Sequence, residues 1–433
     1  MTHSLLRAAV FAATVAATTL AAHGTALAAP TFITIGEQAF ALLREVEPQA
    51  QVLASREVAV RLPQALGGRT LVAGQETVHA VAVDEDRLTE LTLKIHAQLS
   101  RCGGFARHAS AAEAQAVLQR VAATQTSAAL RLASAAAPSY AIDNQAVVNA
   151  LLPQMQASNI LATIEGLAAF QNRRYQSSHG VAASDWLFNA WKQFNPGNRR
   201  DLRTYQITHP NWPQKSVVFE MLGSGNSGEV IVIGGHLDSI ASGDIETVRA
   251  PGADDDASGV ASITEVIRVL IANNFRPQRT LRFVAYAAEE VGLLGSQELV
   301  ALQAAQRTRV VGVLQLDMTA FQGDATDIWL VSDYTNAAQN QFVADLAAAY
   351  LPQLTVGYTY CGYACSDHAS WTLGGYAASF PFEASTANFN HALHTANDVV
   401  ATFGGQANHA LKFSQLALAF AVELGSDGPP AAR

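Results

Sequence analysis

From residue 216 onward the chain alternates short apolar runs with segments of helical period, and no other feature restricts its fold as strongly. Residues 216–222, 229–234, 280–287, 310–316 and 327–331 read as strands, and 259–273, 290–302 and 337–350 read as helices. Upstream, 182–194 reads as a further helix. Val147, Leu151, Met155, Ile160, Ile164 and Leu167 recur at helical spacing over two helices broken near Ser158. Such alternation builds an α/β fold: a doubly wound, mostly parallel sheet with helices on both faces. A sheet of that kind gathers its site beyond the carboxyl ends of its strands.

Those strand ends carry ionisable groups. The run Val230-Ile231-Val232-Ile233 leads into His236 and Asp238, the 280–287 strand into Glu289 and Glu290, and the 310–316 strand directly onto Asp317. Asp254-Asp255-Asp256 stands at the mouth of the 259–273 helix, where one aspartate is expected simply to cap it. Acids crowded at one sheet edge repel unless cations sit among them. His394, in the loop before the last helical segment, offers a second imidazole. Two imidazoles and four carboxylates exceed one tetrahedral zinc and suit two metals sharing a bridging carboxylate. The histidines favour zinc or another transition metal over calcium, which takes oxygen ligands.

The remaining features bound the setting. Arg7, the apolar stretch 8–22 and Ala26-Leu27-Ala28 read as a signal peptide over residues 1–29, so the protein is expected to be secreted. No segment of the 433 residues is long and apolar enough to suggest a membrane span. A net charge of −9 without a basic face argues against nucleic-acid partners. Of the three cysteines, Cys361 and Cys365 are close enough to bridge in an exported protein, with metal ligation by both thiolates as the rival reading. Cys102 is left over. It falls in residues 30–139, which end in an alanine-rich linker and read as an accessory domain or as a small α+β propeptide removed after export. The domain from 140 to 425 carries the metal-binding residues, and 426–433 reads as a disordered tail.

Five motifs, Gly-His-Leu-Asp-Ser, Pro-Gly-Ala-Asp-Asp-Asp-Ala-Ser-Gly, Ala-Ala-Glu-Glu-Val-Gly-Leu, Gln-Leu-Asp-Met and His-Thr-x-x-Asp, stand in the order found in secreted bacterial leucine aminopeptidases with two co-catalytic zincs. The chain resembles that family from about residue 142 to 424, including the loop 361–368. The resemblance implies that His236 and Asp317 hold one zinc, His394 and Glu290 the other, and that Asp255 bridges them. It implies Glu289 as general base, Tyr363 as donor to the oxyanion, and Asp238 as the acceptor that fixes the tautomer of His236. Met318, Phe380, Phe382 and Leu393 fall where the family's apolar side-chain pocket lies. The expected reaction is removal of the first residue, preferably a large apolar one such as Leu, from peptides with a free N-terminus, by a monomer. A carboxypeptidase, a glutaminyl cyclase or a non-catalytic binding domain on the same fold are the alternatives.

Overall fold

The computed structural model describes residues 30–123 and 140–426, apart from positions 66, 69, 100 and 102. The expected signal peptide, the alanine-rich linker, Cys102 and the tail beyond 426 lie outside the described residues.

The first unit is built from β1 (Thr31–Gly36), α1 (Glu37–Val46), β2 (Gln51–Pro63), β3 (Leu71–Val83), α2 (Leu88–Leu99), β4 (Phe105–His108) and α3 (Ala111–Ala123). Its strands run antiparallel in the order β2-β3-β1-β4, so the unit is α+β as expected. Ile33, Ile35, Leu43, Leu91 and Ile95 pack between the sheet and the helix pair α1 and α2.

The second unit opens with α4 (Gln145–Leu151), α5 (Ala157–Ala168) and α6 (Ser178–Lys192). The break between the first two falls earlier than expected, at a short turn over Leu152–Gln154. The inward stripe of α4 is also shifted by one residue: Val148 and Leu151 are buried, whereas Val147 faces out at 38% exposure.

The central sheet uses β5 (Leu202–Ile207), β6 (Ser216–Met221), β7 (Asn226–His236), β8 (Arg279–Tyr286) and β9 (Arg309–Gln315), with α7 (Ala257–Ala272) and α8 (Leu294–Ala305) between them. There follow β10 (Ile328–Val331), α9 (Ala337–Tyr350), β11 (Val356–Thr359), α10 (His368–Leu373), β12 (Ala378–Ser379), β13 (Pro381–Phe382) and α11 (Asn408–Ser426). The strand order is β12-β9-β7-β8-β6-β5, parallel from β12 to β8 and antiparallel at the β6 and β5 edge. The three central strands are buried on both faces, which explains their unbroken apolar runs. Helices α7 and α11 pack on one side, where Val260, Ile263, Ile267, Phe413 and Phe420 meet Ile231, Ile233 and Phe283.

The helix expected from Glu290 begins only at Leu294. Residues 288–293 form a turn instead, with left-handed backbone at Ala288, Gly292 and Leu293, so both glutamates leave the end of β8 on a loop.

Candidate metal centre

His236 is the last residue of β7, and Asp317 lies two residues beyond the end of β9, its neighbour in the sheet. The parallel register thus sets an imidazole beside a carboxylate, with His236 Nε2 3.4 Å from Asp317 Oδ1. The same Nε2 lies 2.9 Å from Asp255 Oδ1. On the other side His394 Nε2 lies 3.2 Å from Asp255 Oδ2 and 2.7 Å from Glu290 Oε2. Asp255 therefore stands between two imidazoles and offers one oxygen to each. All five residues are buried.

The aspartate triplet divides its work by hydrogen bonding. Asp256 caps α7 through Gly259 N and accepts from the amides of His236 and Met318, tying three elements together. Asp254 accepts from Ala320 N and from Asn390 Nδ2. Asp255 alone has neither carboxylate oxygen hydrogen-bonded among the described residues. Asp256 also lies near His236 and Asp317, but its oxygens are already used, so Asp255 is the available carboxylate. The peptide between Asp255 and Asp256 is cis.

Further buried atoms without a hydrogen bond among the described residues converge here: Asp317 Oδ1, Glu290 Oε1, Glu289 Oε1 and His394 Nε2. Buried polar atoms are normally satisfied, so a group of orphans aimed at one place is a cost that a bound cation removes. The charges agree. Burial opposes a charged His236, yet Asp317 and contacts with Asp238 and Asp255 hold its pKa well above the usual value. Burial likewise opposes a charged His394, but Glu290 and Asp255 hold it up at about 10. Burial would raise Asp255, but the two imidazoles keep it well below the usual carboxylate range. Protons here stand in for cations. Imidazole and carboxylate donors fit zinc or a similar ion.

Glu289 is distinct from its neighbour. Burial pushes its carboxyl well above the normal range, with His236 opposing, whereas Glu290 reaches about 7 for the same first cause. The Asp238 carboxylate holds both residues in place, accepting from the amides of Glu289 (2.9 Å) and Glu290 (3.2 Å). The expected contact of His236 with Asp238 is present, but it is made by the main chain of Asp238. His236 Nδ1 lies 3.1 Å from the main-chain carbonyl of Asp238 but 3.7 Å from its carboxylate, so the carbonyl orients the ring.

Cys361 and Cys365 are bonded to each other, so neither sulfur is a thiolate and the ligand reading of the pair is set aside. Their loop carries Tyr363, which is buried and meets the Thr34 hydroxyl of β1 at 2.6 Å. Met318, Phe380, Phe382 and Leu393 share one apolar cluster, joined by Trp329, Val331 and Phe389. Phe380, Phe382 and Phe389 line a small cavity with the disulfide, and Arg101 of the first unit stands at it.

Several supporting residues were not foreseen. Ser366 donates to Asp317 Oδ2 at 2.6 Å. Asn390 and Asp398 staple the His394 loop to the aspartate turn, Asp398 accepting from the amides of Asp254 and Asp255. Arg173, fully buried, donates to the carbonyls of Leu237, Pro251 and Gly252. Ser366 and Asp398 sit within motifs quoted above; Arg173 and Asn390 carry no local signal, because their partners are remote in sequence.

The sequence pattern of peptidase family M28 matches residues 216–419. Leucine aminopeptidase 1 of Grosmannia clavigera is 33% identical over 300 residues, covering 66% of this chain and 72% of that protein. The crystal structure of the LapA aminopeptidase of Legionella pneumophila matches with a TM-score of 0.72 at 28% identity, covering 92% of this chain and 99% of that one. LapB of the same organism matches with a TM-score of 0.73, again at 28% identity. By this combination of sequence and architecture, the chain belongs to peptidase family M28.

Proposed function

We propose that the protein is a secreted dizinc aminopeptidase that removes an apolar first residue, such as Leu, from peptides with a free N-terminus. The observation that carries this reading is Asp255, whose two unpartnered oxygens face two separate imidazoles, each backed by its own carboxylate. One zinc would be held by His236, Asp317 and Asp255, the other by His394, Glu290 and Asp255. Bound there, a zinc pair supplies Lewis acidity to the scissile carbonyl and acidifies water.

The chain's own groups do the rest. Glu289, buried beside His236 and raised in pKa, takes a proton from the attacking water and returns it to the leaving amine. Tyr363, presented by the disulfide loop, donates its hydroxyl proton to the developing oxyanion. The aromatic cavity at Phe380, Phe382 and Phe389 receives the first side chain.

In this reading residues 30–139 are a propeptide. Thr34 engages the Tyr363 hydroxyl, Arg107 N donates to Gly292 O at 3.1 Å, and Arg101 stands at the apolar cavity. In this reading substrate needs the Tyr363 hydroxyl and the apolar cavity, the first and last of these places. The test is metal content together with hydrolysis of leucyl anilide, before and after proteolytic loss of the first unit. Two zincs per chain, release of the first residue alone and a rise in rate on processing are expected. One zinc with cyclisation of N-terminal glutamine would replace the reading.

A further inference from the structure

Helix α2 lays one face across the loop side of the metal centre. Thr92 Oγ1 donates to the main-chain carbonyl of Glu290 at 3.3 Å. His96, four residues on and so on the same face, sets its ring edge-on to His394 with centroids 5.4 Å apart. The Nδ1 of His96 is buried and has no hydrogen-bond partner among the described residues. Asp255 is close enough to act on the charge of the ring. A half-buried imidazole, leaning on one candidate ligand, within the field of another and also in contact with the main chain of His391, keeps its Nδ1 without a hydrogen bond.

We propose that His96 supplies a further imidazole to the metal held by Glu290 and His394, so that the first unit closes the site by ligation as well as by bulk. The inference rests on the metal-centre reading above and adds a residue to it. Ligation fits the neighbouring contacts. Thr34 occupies Tyr363, Arg101 stands at the side-chain cavity, and His96 takes the position that a substrate's terminal amine would need. An imidazole is a better blocker there than a carboxylate, because it adds no negative charge to a centre already rich in acids.

The test uses the full chain loaded with Co2+, whose visible absorption reports the number and kind of its ligands. His96→Ala is expected to keep two ions, to change the absorption band, and to release one ion to a chelator at least about tenfold faster, the lower edge of what even outer partners of metal ligands contribute. Added imidazole is expected to restore the wild-type band. Thr92→Val removes the neighbouring contact without touching the metal and is expected to leave the spectrum unchanged, which controls for a displaced helix. An unchanged band and unchanged release in His96→Ala, with both ions bound in each protein, would overturn the role of His96 alone. A wild-type chain that binds no Co2+ would overturn the metal centre and His96 together.

Discussion

The two halves of the candidate metal centre are built differently. His236 and Asp317 extend from neighbouring parallel strands, so the sheet fixes their separation. Glu290 and His394 both come from loops, and His394 itself has left-handed backbone, with φ 56°. Support follows the same division. His236 Nδ1 has the Asp238 carbonyl as acceptor, and Asp317 has the Ser366 hydroxyl. His394 Nδ1 has no partner among the described residues, and its loop depends on Asn390 and Asp398. The first unit leans on the loop-built half through Thr92 and His96. A site of this kind keeps one half constant and leaves the other open to adjustment.

The largest expected effect tests whether the adjacent glutamates belong to different tasks. Glu289→Gln is expected to keep both metals and to lose turnover by roughly 10²–10⁴-fold, the worth of a positioned acid–base group. Glu290→Gln is expected to lose the loop-held metal. Metal analysis beside kcat decides it, and loss of a metal from Glu289→Gln would sink the assignment.

A smaller effect probes the supports. Asn390→Ala removes the donor to Asp254 and Asp398 and is expected to weaken the loop-held metal by roughly 10–100-fold. Ser366→Ala, on the strand side, is expected to do less, because the backbone of β9 still presents Asp317. Stepwise metal titration of the two variants separates the cases. Equal losses would erase the distinction between the halves.

The smallest effect is in pH. Burial holds Glu290 up at about 7, so its carboxylate, the form that ligates, is lost as pH falls through 7. From pH 8 to pH 6 the ionised fraction of a group titrating at about 7 falls about tenfold, and the affinity of the loop-held metal falls with it. Titrations at pH 8 and pH 6 are expected to show this metal leaving first. Simultaneous loss of both would contradict the assignment of Glu290 to one half.

What could be read in the sequence tracks the same contrast. The strand-held half announces itself because an apolar run has a definite end, and His236 and Asp317 stand at such ends. Glu290 reads as the start of a helix, since its neighbours suit one. The Asp238 carboxylate, which claims the amides of Glu289 and Glu290, lies some fifty residues earlier and leaves no local trace. His394 stands out through a motif and not through a period. β6 reads as a strand from its sequence, but its antiparallel direction leaves no such mark: direction depends on pairing with β8, and its residues are as apolar as those of a parallel strand. The contacts of Thr34 and His96 across the two units join residues hundreds of positions apart, beyond any periodicity.

The aspartate triplet has a consequence for anyone altering this chain. Three identical letters hold three posts: Asp254 faces the loop, Asp255 faces the imidazoles, and Asp256 locks the helix. Composition cannot tell them apart; only counting back from the fixed start of α7 can. The triplet behaves as a ruler. Deleting any one of its members yields the same Asp-Asp remnant, which still looks acidic enough to bind metal to any scan for residue type. Yet the helix would claim its cap first, and the remaining aspartate would have to serve two posts one residue apart. A change of length at this turn is therefore expected to disturb all three posts at once, and length is a property to preserve when the segment is transplanted or redesigned.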